Sequence, residues 1–94
     1  MTLDDIAALL RKGLARKPLD NSLAFDCGDD GVLRLQGTEA AQSAEPADCT
    51  IRISLANLEK LVQGQLNPMT AFAMGKIKVS GDMTLALKLS QLLG

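Results

Sequence analysis

Residues 48–55 read DCTIRISL, and they decide the fold class. Cys49, Ile51, Ile53 and Leu55 alternate strictly with Thr50, Arg52 and Ser54. One face is apolar and the other polar, which is the period of a half-buried strand. A doubly wound parallel sheet would want uninterrupted apolar strands instead. Working outward, residues 22–27 repeat the pattern, with Leu23, Phe25 and Cys27 alternating with Ala24 and Asp26. Residues 32–36 place Leu33 and Leu35 on one face and Arg34 and Gln36 on the other, and the cluster Gly28 to Gly31 predicts a tight hairpin between the two strands. Residues 76–80 direct Ile77 and Val79 inward and Lys76, Lys78 and Ser80 outward. Four such strands predict an α+β fold of two layers: a mainly antiparallel sheet, wet on one side, with helices on the other.

The helices announce themselves by spacing and caps. Leu3, Ile6, Ala7, Leu10 and Leu14 share one helical face. Thr2 is the expected N-cap, Asp4 and Asp5 suit the positive end of the helix dipole, and Pro18 stops the helix. Ser54 is expected to cap a second helix running to about Gln63, with Leu55, Leu58, Leu61 and Val62 as its apolar stripe and Gly64 just past its end. Asn67-Pro68 opens a short third helix that Gly75 closes. Residues 38–47, TEAAQSAEPA, read as a loop or a weak edge strand.

Ninety-four residues are expected to form one domain, residues 1–94. Apolar residues make up 47% and charged residues 22%, an ordinary globular profile. Ten Lys/Arg against eleven Asp/Glu leave a net charge of −1, which argues against nucleic acid as a partner. The two aromatics, Phe25 and Phe72, offer no base-stacking platform. Histidine is absent, so imidazole bases and the commonest zinc ligand are excluded. No apolar run approaches the ~18–20 residues that span a bilayer. Thr2, Asp4 and Asp5 stand where a secretory leader would be basic. The expectation is a cytoplasmic protein with both thiols reduced.

The C-terminal stretch from residue 82, DMTLALKLSQLLG, predicts a helix with surplus grease. Its polar stripe is Thr84, Lys88 and Gln91, and the apolar arc covers roughly 220°, broken only by Ser90, where a surface helix needs little more than ~100°. The surplus needs a second apolar partner: another helix, another subunit, or an apolar ligand. Elsewhere the chemistry is sparse. Cys27 and Cys49 fall on apolar strand faces and read as inert buried thiols, and they cannot make a metal site alone. Asp29 and Asp30 read as a turn, and no phosphate loop follows Gly28 to Gly31. Lys76 and Lys78 form a basic pair on a wet strand face, suited to solvation, to edge protection or to anionic lipid head groups.

From Ala47 onward the motifs fall in a familiar order. ADCT opens a strand, a helix ends at Gly64, Asn67-Pro68 opens the next, Ala71-Phe72 follows, and then come GKIKVSGDM (residues 75–83) and a Leu/Ala-rich helix containing Lys88-Leu89. This half of the chain closely resembles the sterol carrier protein-2 family, and the N-terminal half agrees in outline. The resemblance implies a five-stranded sheet whose helices enclose an apolar tunnel. It further implies non-enzymatic binding of a fatty acid, acyl-CoA or sterol-like molecule, with no cofactor and, in some relatives, transfer between membranes. Met74 stands where many relatives have Gln. The chain ends Leu-Leu-Gly, not in the peroxisomal tripeptide of eukaryotic relatives. The residues expected to line the lipid site are Leu61, Leu66, Met69, Phe72, Met74, Ile77, Met83, Ala86, Leu87 and Ser90, with transient membrane contact and a homodimer as further expectations. The alternative is a structural or dimerisation module that binds no ligand and shapes a partner enzyme.

Overall fold

The computed structural model describes residues 2–85. Helix α1 (Leu3–Arg16) opens on a capping box: Asp5 N–H donates to Thr2 Oγ1 at 3.2 Å and Thr2 N–H donates to Asp5 Oδ2 at 3.0 Å. Those bonds hold the Asp5 carboxyl below its ordinary range. Strands β1 (Leu19–Asp26) and β2 (Val32–Gly37) form a hairpin around a 3-10 turn, Gly28–Asp30. Strand β3 (Glu39–Gln42) adds an edge, so the weak stretch after residue 38 is in part a strand. Strand β4 (Cys49–Arg52), helix α2 (Leu55–Val62), helix α3 (Pro68–Ala73) and strand β5 (Lys78–Gly81) follow.

The strand order is β3-β2-β1-β4-β5. Each pairing is antiparallel except β1 with β4, which is parallel. Register aligns the apolar positions into two rows across the sheet. One row is Ala40, Leu35, Leu23 and Cys49; the other is Leu33, Phe25, Ile51 and Val79. All but the half-buried Val79 are essentially inaccessible to water; the five apolar residues that the spacing of α1 predicted join the same core, with α1 lying over β3 and β2. The opposite face carries Arg34, Thr50, Ser80, Arg52 and Lys78, as the alternation requires. Arg11 fastens α1 to the β3 edge, donating from Nε and Nη2 to the Ala40 carbonyl at 3.0 and 2.7 Å.

The boundaries shift where periods overlap. The alternation of residues 48–55 outlasts β4, because Ile53 is buried at the strand's exit and Leu55 already belongs to α2. Ser54 caps that helix, accepting from Asn57 N–H at 3.2 Å. Likewise β5 begins at Lys78, two residues later than the pattern of 76–80, although Ile77 is buried as expected.

One junction explains the ADCT and GDM motifs together. Ser22, buried beside β4, donates its N–H to Asp48 Oδ2 at 3.0 Å, and Asp48 N–H donates to Ser22 Oγ at 2.9 Å. This clamp fixes the start of the parallel pair. Asp48 also presents its carbonyl to Asp82 N–H at 3.1 Å. Gly81 passes so close that a Cβ there would collide with the Asp48 carbonyl oxygen and sit 3.2 Å from Cys49 Cα. Its φ of 93° is a second reason for glycine.

Candidate functional site

The ten expected lining residues separate by burial. Leu61 and Ile77 belong to the core, and Leu66 packs half-buried against it. Met69, Phe72, Met74 and Met83 remain 52%, 44%, 63% and 48% exposed. Ala86, Leu87 and Ser90 lie outside the described residues. So does most of the greasy C-terminal stretch. Its onset is described: Asp82 Oδ1 accepts from Thr84 N–H at 2.9 Å, and Leu85 is buried in the core.

Helix α3 is the unusual element. Asn67 caps it, accepting from Met69 and Thr70 N–H at 2.9 and 3.2 Å, with Pro68 at its first position. Its buried residue is Ala71, the smallest side chain available. Met69 and Phe72, three apart and therefore on one face, stay half in water. An ordinary amphipathic helix does the reverse. Fully burying a Met or Phe side chain is worth ~1.5–3 kcal/mol, so the folded chain leaves several kcal/mol of hydrophobic contact unrealised here. Isolated exposed apolar residues are common, and Leu9 on α1 is one. Met69, Phe72 and Met74 within one short helix and its C-cap form a concentration of the kind that marks an interaction site.

The two cysteines lie elsewhere, Cys27 just past β1 and Cys49 at the start of β4, and both are buried and free. Burial, reinforced by Asp30 and Asp26, pushes the Cys27 thiol up to about 11. Burial also raises Cys49, with Asp82 adding to the effect. Neither thiol is a thiolate near neutrality, so neither is primed as a nucleophile. Among the described residues no three His, Cys, Asp or Glu side chains gather as a metal site, and no helix is long and apolar enough to cross a membrane.

Two features escaped sequence reasoning. The Ser22–Asp48 clamp joins residues twenty-six positions apart, and no local signal pairs them. The register also sets Asp26 beside Arg52 and Arg52 opposite Lys78. Each was legible as a wet-face residue, but their adjacency depends on strand order.

The elements define a small α+β domain type: a five-stranded mixed sheet with helices packed on its apolar face, one of which, α3, leaves apolar side chains exposed. The chain belongs to the SCP-2 sterol transfer family, whose family model matches residues 3–94. Sterol carrier protein 2 of Gallus gallus is 46% identical over 57 residues, covering 61% of this chain. The chain spans about a tenth of the length of such relatives, 10% in that case. The solution structure of Aedes aegypti sterol carrier protein-2 in complex with palmitate superposes with a TM-score of 0.82 at 18% identity, covering 100% of this chain and 96% of that one. The sterol carrier protein domain 2 of Helicoverpa armigera gives 0.74 at 25% identity, covering 95% and 83%.

Proposed function

We propose that residues 1–94 act as a single non-enzymatic domain that binds one apolar lipid chain. The guest lies against the exposed face of α3 and the exposed Met83. The observation that carries this reading is the inverted burial of α3, with Ala71 inside and Met69 and Phe72 outside. The palmitate complex of the Aedes aegypti relative supports a fatty acid as the ligand class. The family resemblance adds acyl-CoA and sterol-like molecules to that class. The same residues suit a carrier, because an apolar face discriminates poorly between chains of similar length.

The energetics are adequate. Burying roughly a dozen methylenes yields about 10 kcal/mol gross at ~0.8 kcal/mol each, and association costs at least ~4 kcal/mol. The net, about −6 kcal/mol, corresponds to a Kd of tens of micromolar. No ion pair is needed. Thermal melting tests the proposal. Palmitate at ten times Kd should stabilise the fold by about 1.4 kcal/mol. That is a Tm rise of roughly 5–10 °C for a domain of this size. A flat Tm across the micromolar range, in protein stripped of lipid by organic extraction, would overturn it. Sedimentation in parallel separates the structural alternative: a tight dimer indifferent to lipid would place protein, not ligand, on the α3 face.

A further inference from the structure

Methionine is a soft, adaptable side chain that ordinarily fills gaps in a core. Among the described residues it does the opposite here. Met69, Met74 and Met83 are all exposed, and the buried core is built from Leu, Ile, Ala, Phe and Cys. Met69 lies on α3 and Met74 caps its C-terminus, while Met83 stands two residues past the end of β5. All three belong to the apolar surface proposed above for the lipid. The chain's thioethers therefore stand in water when the protein is empty and under hydrocarbon when it is loaded.

The cysteines are placed the other way. Cys49 is 0% exposed and Cys27 8%. Burial also pushes the Cys27 thiol up to about 11 and raises Cys49. Peroxides attack cysteine as its thiolate, so burial protects both thiols twice, by access and by charge. An oxidant in water meets the three thioethers first. Because no core position among the described residues holds methionine, oxidation there changes the binding surface and spares the packing.

We propose that Met69, Met74 and Met83 are an oxidative modification site that switches the lipid surface off, peroxide converting their thioethers to sulfoxides that expel the guest. The inference rests on the lipid-binding reading above and adds its regulation. In the forward step the thioether sulfur donates an electron pair to one oxygen of hydrogen peroxide. An S–O bond forms, the O–O bond breaks, and the other oxygen leaves as water with both protons. In the reverse step two thiols of a reductase become a disulfide and the oxygen leaves as water. The sulfoxide oxygen is a hydrogen-bond acceptor that water satisfies and an alkyl chain does not. Its burial under a guest is therefore penalised, while the empty fold is indifferent to it. The coupling is reciprocal: a guest that covers the thioethers slows their oxidation.

The test treats the delipidated natural protein and Met69→Leu/Met74→Leu/Met83→Leu with hydrogen peroxide, then measures hexadecanol affinity against each protein's own untreated sample. Met1 is present in both, so its oxidation cancels in the comparison. Peptide mapping should find the added oxygen on Met69, Met74 and Met83 and not on Cys27 or Cys49. The natural protein should lose at least about tenfold in affinity, and the leucine variant should not change. The Tm of the oxidised, empty protein should stay within about 4 °C of the untreated value. Methionine sulfoxide reductases of both epimer specificities should restore binding. Saturation with palmitate before the peroxide should slow oxidation at the three positions several-fold. Sulfoxides at all three positions with affinity unchanged within twofold would overturn the switch and leave the apolar site standing. So would an equal loss in the leucine variant, a collapse of Tm on oxidation, or failure of the reductases to restore binding. Untreated natural protein that binds neither hexadecanol nor palmitate would overturn the lipid-binding reading itself.

Discussion

Met74→Gln separates a lipid contact from a core contact in one substitution. Met74 is 63% exposed, and its backbone N–H caps α3 by donating to the Phe72 and Thr70 carbonyls. Glutamine keeps that backbone bond, is close to isosteric, and has a similar helix propensity. The folding free energy should therefore move by no more than about 0.5 kcal/mol. Binding should not be spared. A fully buried methionine side chain is worth ~1.5–3 kcal/mol, so a guest that covers the exposed 63% gains about 1–2 kcal/mol from this residue. Losing that contact weakens an uncharged guest roughly 5- to 30-fold. A guest with a carboxylate should lose less, because the new amide can donate a hydrogen bond worth about 1 kcal/mol. Displacement of a fluorescent fatty acid by hexadecanol and by palmitate, in both proteins, measures the two losses. Affinity for hexadecanol unchanged within twofold, in a variant with native Tm, would remove Met74 from the site. A drop in Tm of more than a few degrees would place it in the core instead.

Gly81→Ala should destabilise the fold by about 2–4 kcal/mol, the cost of a side chain at positive φ plus the displaced Asp48 carbonyl, and urea unfolding would register it as a lower midpoint. Asp48→Ala should cost about 1–3 kcal/mol by orphaning the buried Ser22 donors, whereas Asp48→Asn, which keeps an acceptor oxygen, should recover most of it; equal losses in the two variants would contradict the clamp. Cys27 supplies an alkaline limit. Its folded pKa stands above the ordinary 9.0 at about 11, so the folded state holds that proton longer than the unfolded state does. The contribution is complete below pH 9 and is lost as pH rises towards 11, so unfolding at pH 8 and pH 10.5 should differ more in the natural protein than in Cys27→Ala.

Much of the fold was legible because local chemistry and burial agree. Thr2, Ser54 and Asn67 cap the helices that their positions announced, and the period-two stretches became strands with the expected inner faces. What stayed illegible is what several elements decide together. Nothing in residues 22–27 says that they pair in parallel with residues 49–52, because both strands carry the same one-sided pattern whichever neighbour they take. The end of β4 was hidden because Ile53 and Leu55 prolong the alternation while the backbone turns into α2. The candidate site was legible as residue type but not as burial. Leu61 and Met69 look alike on a helical wheel, yet one is core and the other half in water, since the packing of α3 through Ala71 is a tertiary fact. The adjacency of Asp26, Arg52 and Lys78 needed the register of β4 against β1 and β5 before these charges became neighbours.

Native mass spectrometry of the chain, delipidated and then mixed with palmitate at tens of micromolar, addresses the central claim most directly. A saturating adduct of one palmitate per chain is the predicted spectrum, reduced in Met74→Gln. Bare protein at every concentration, with the same solution showing a folded chain, would contradict the account.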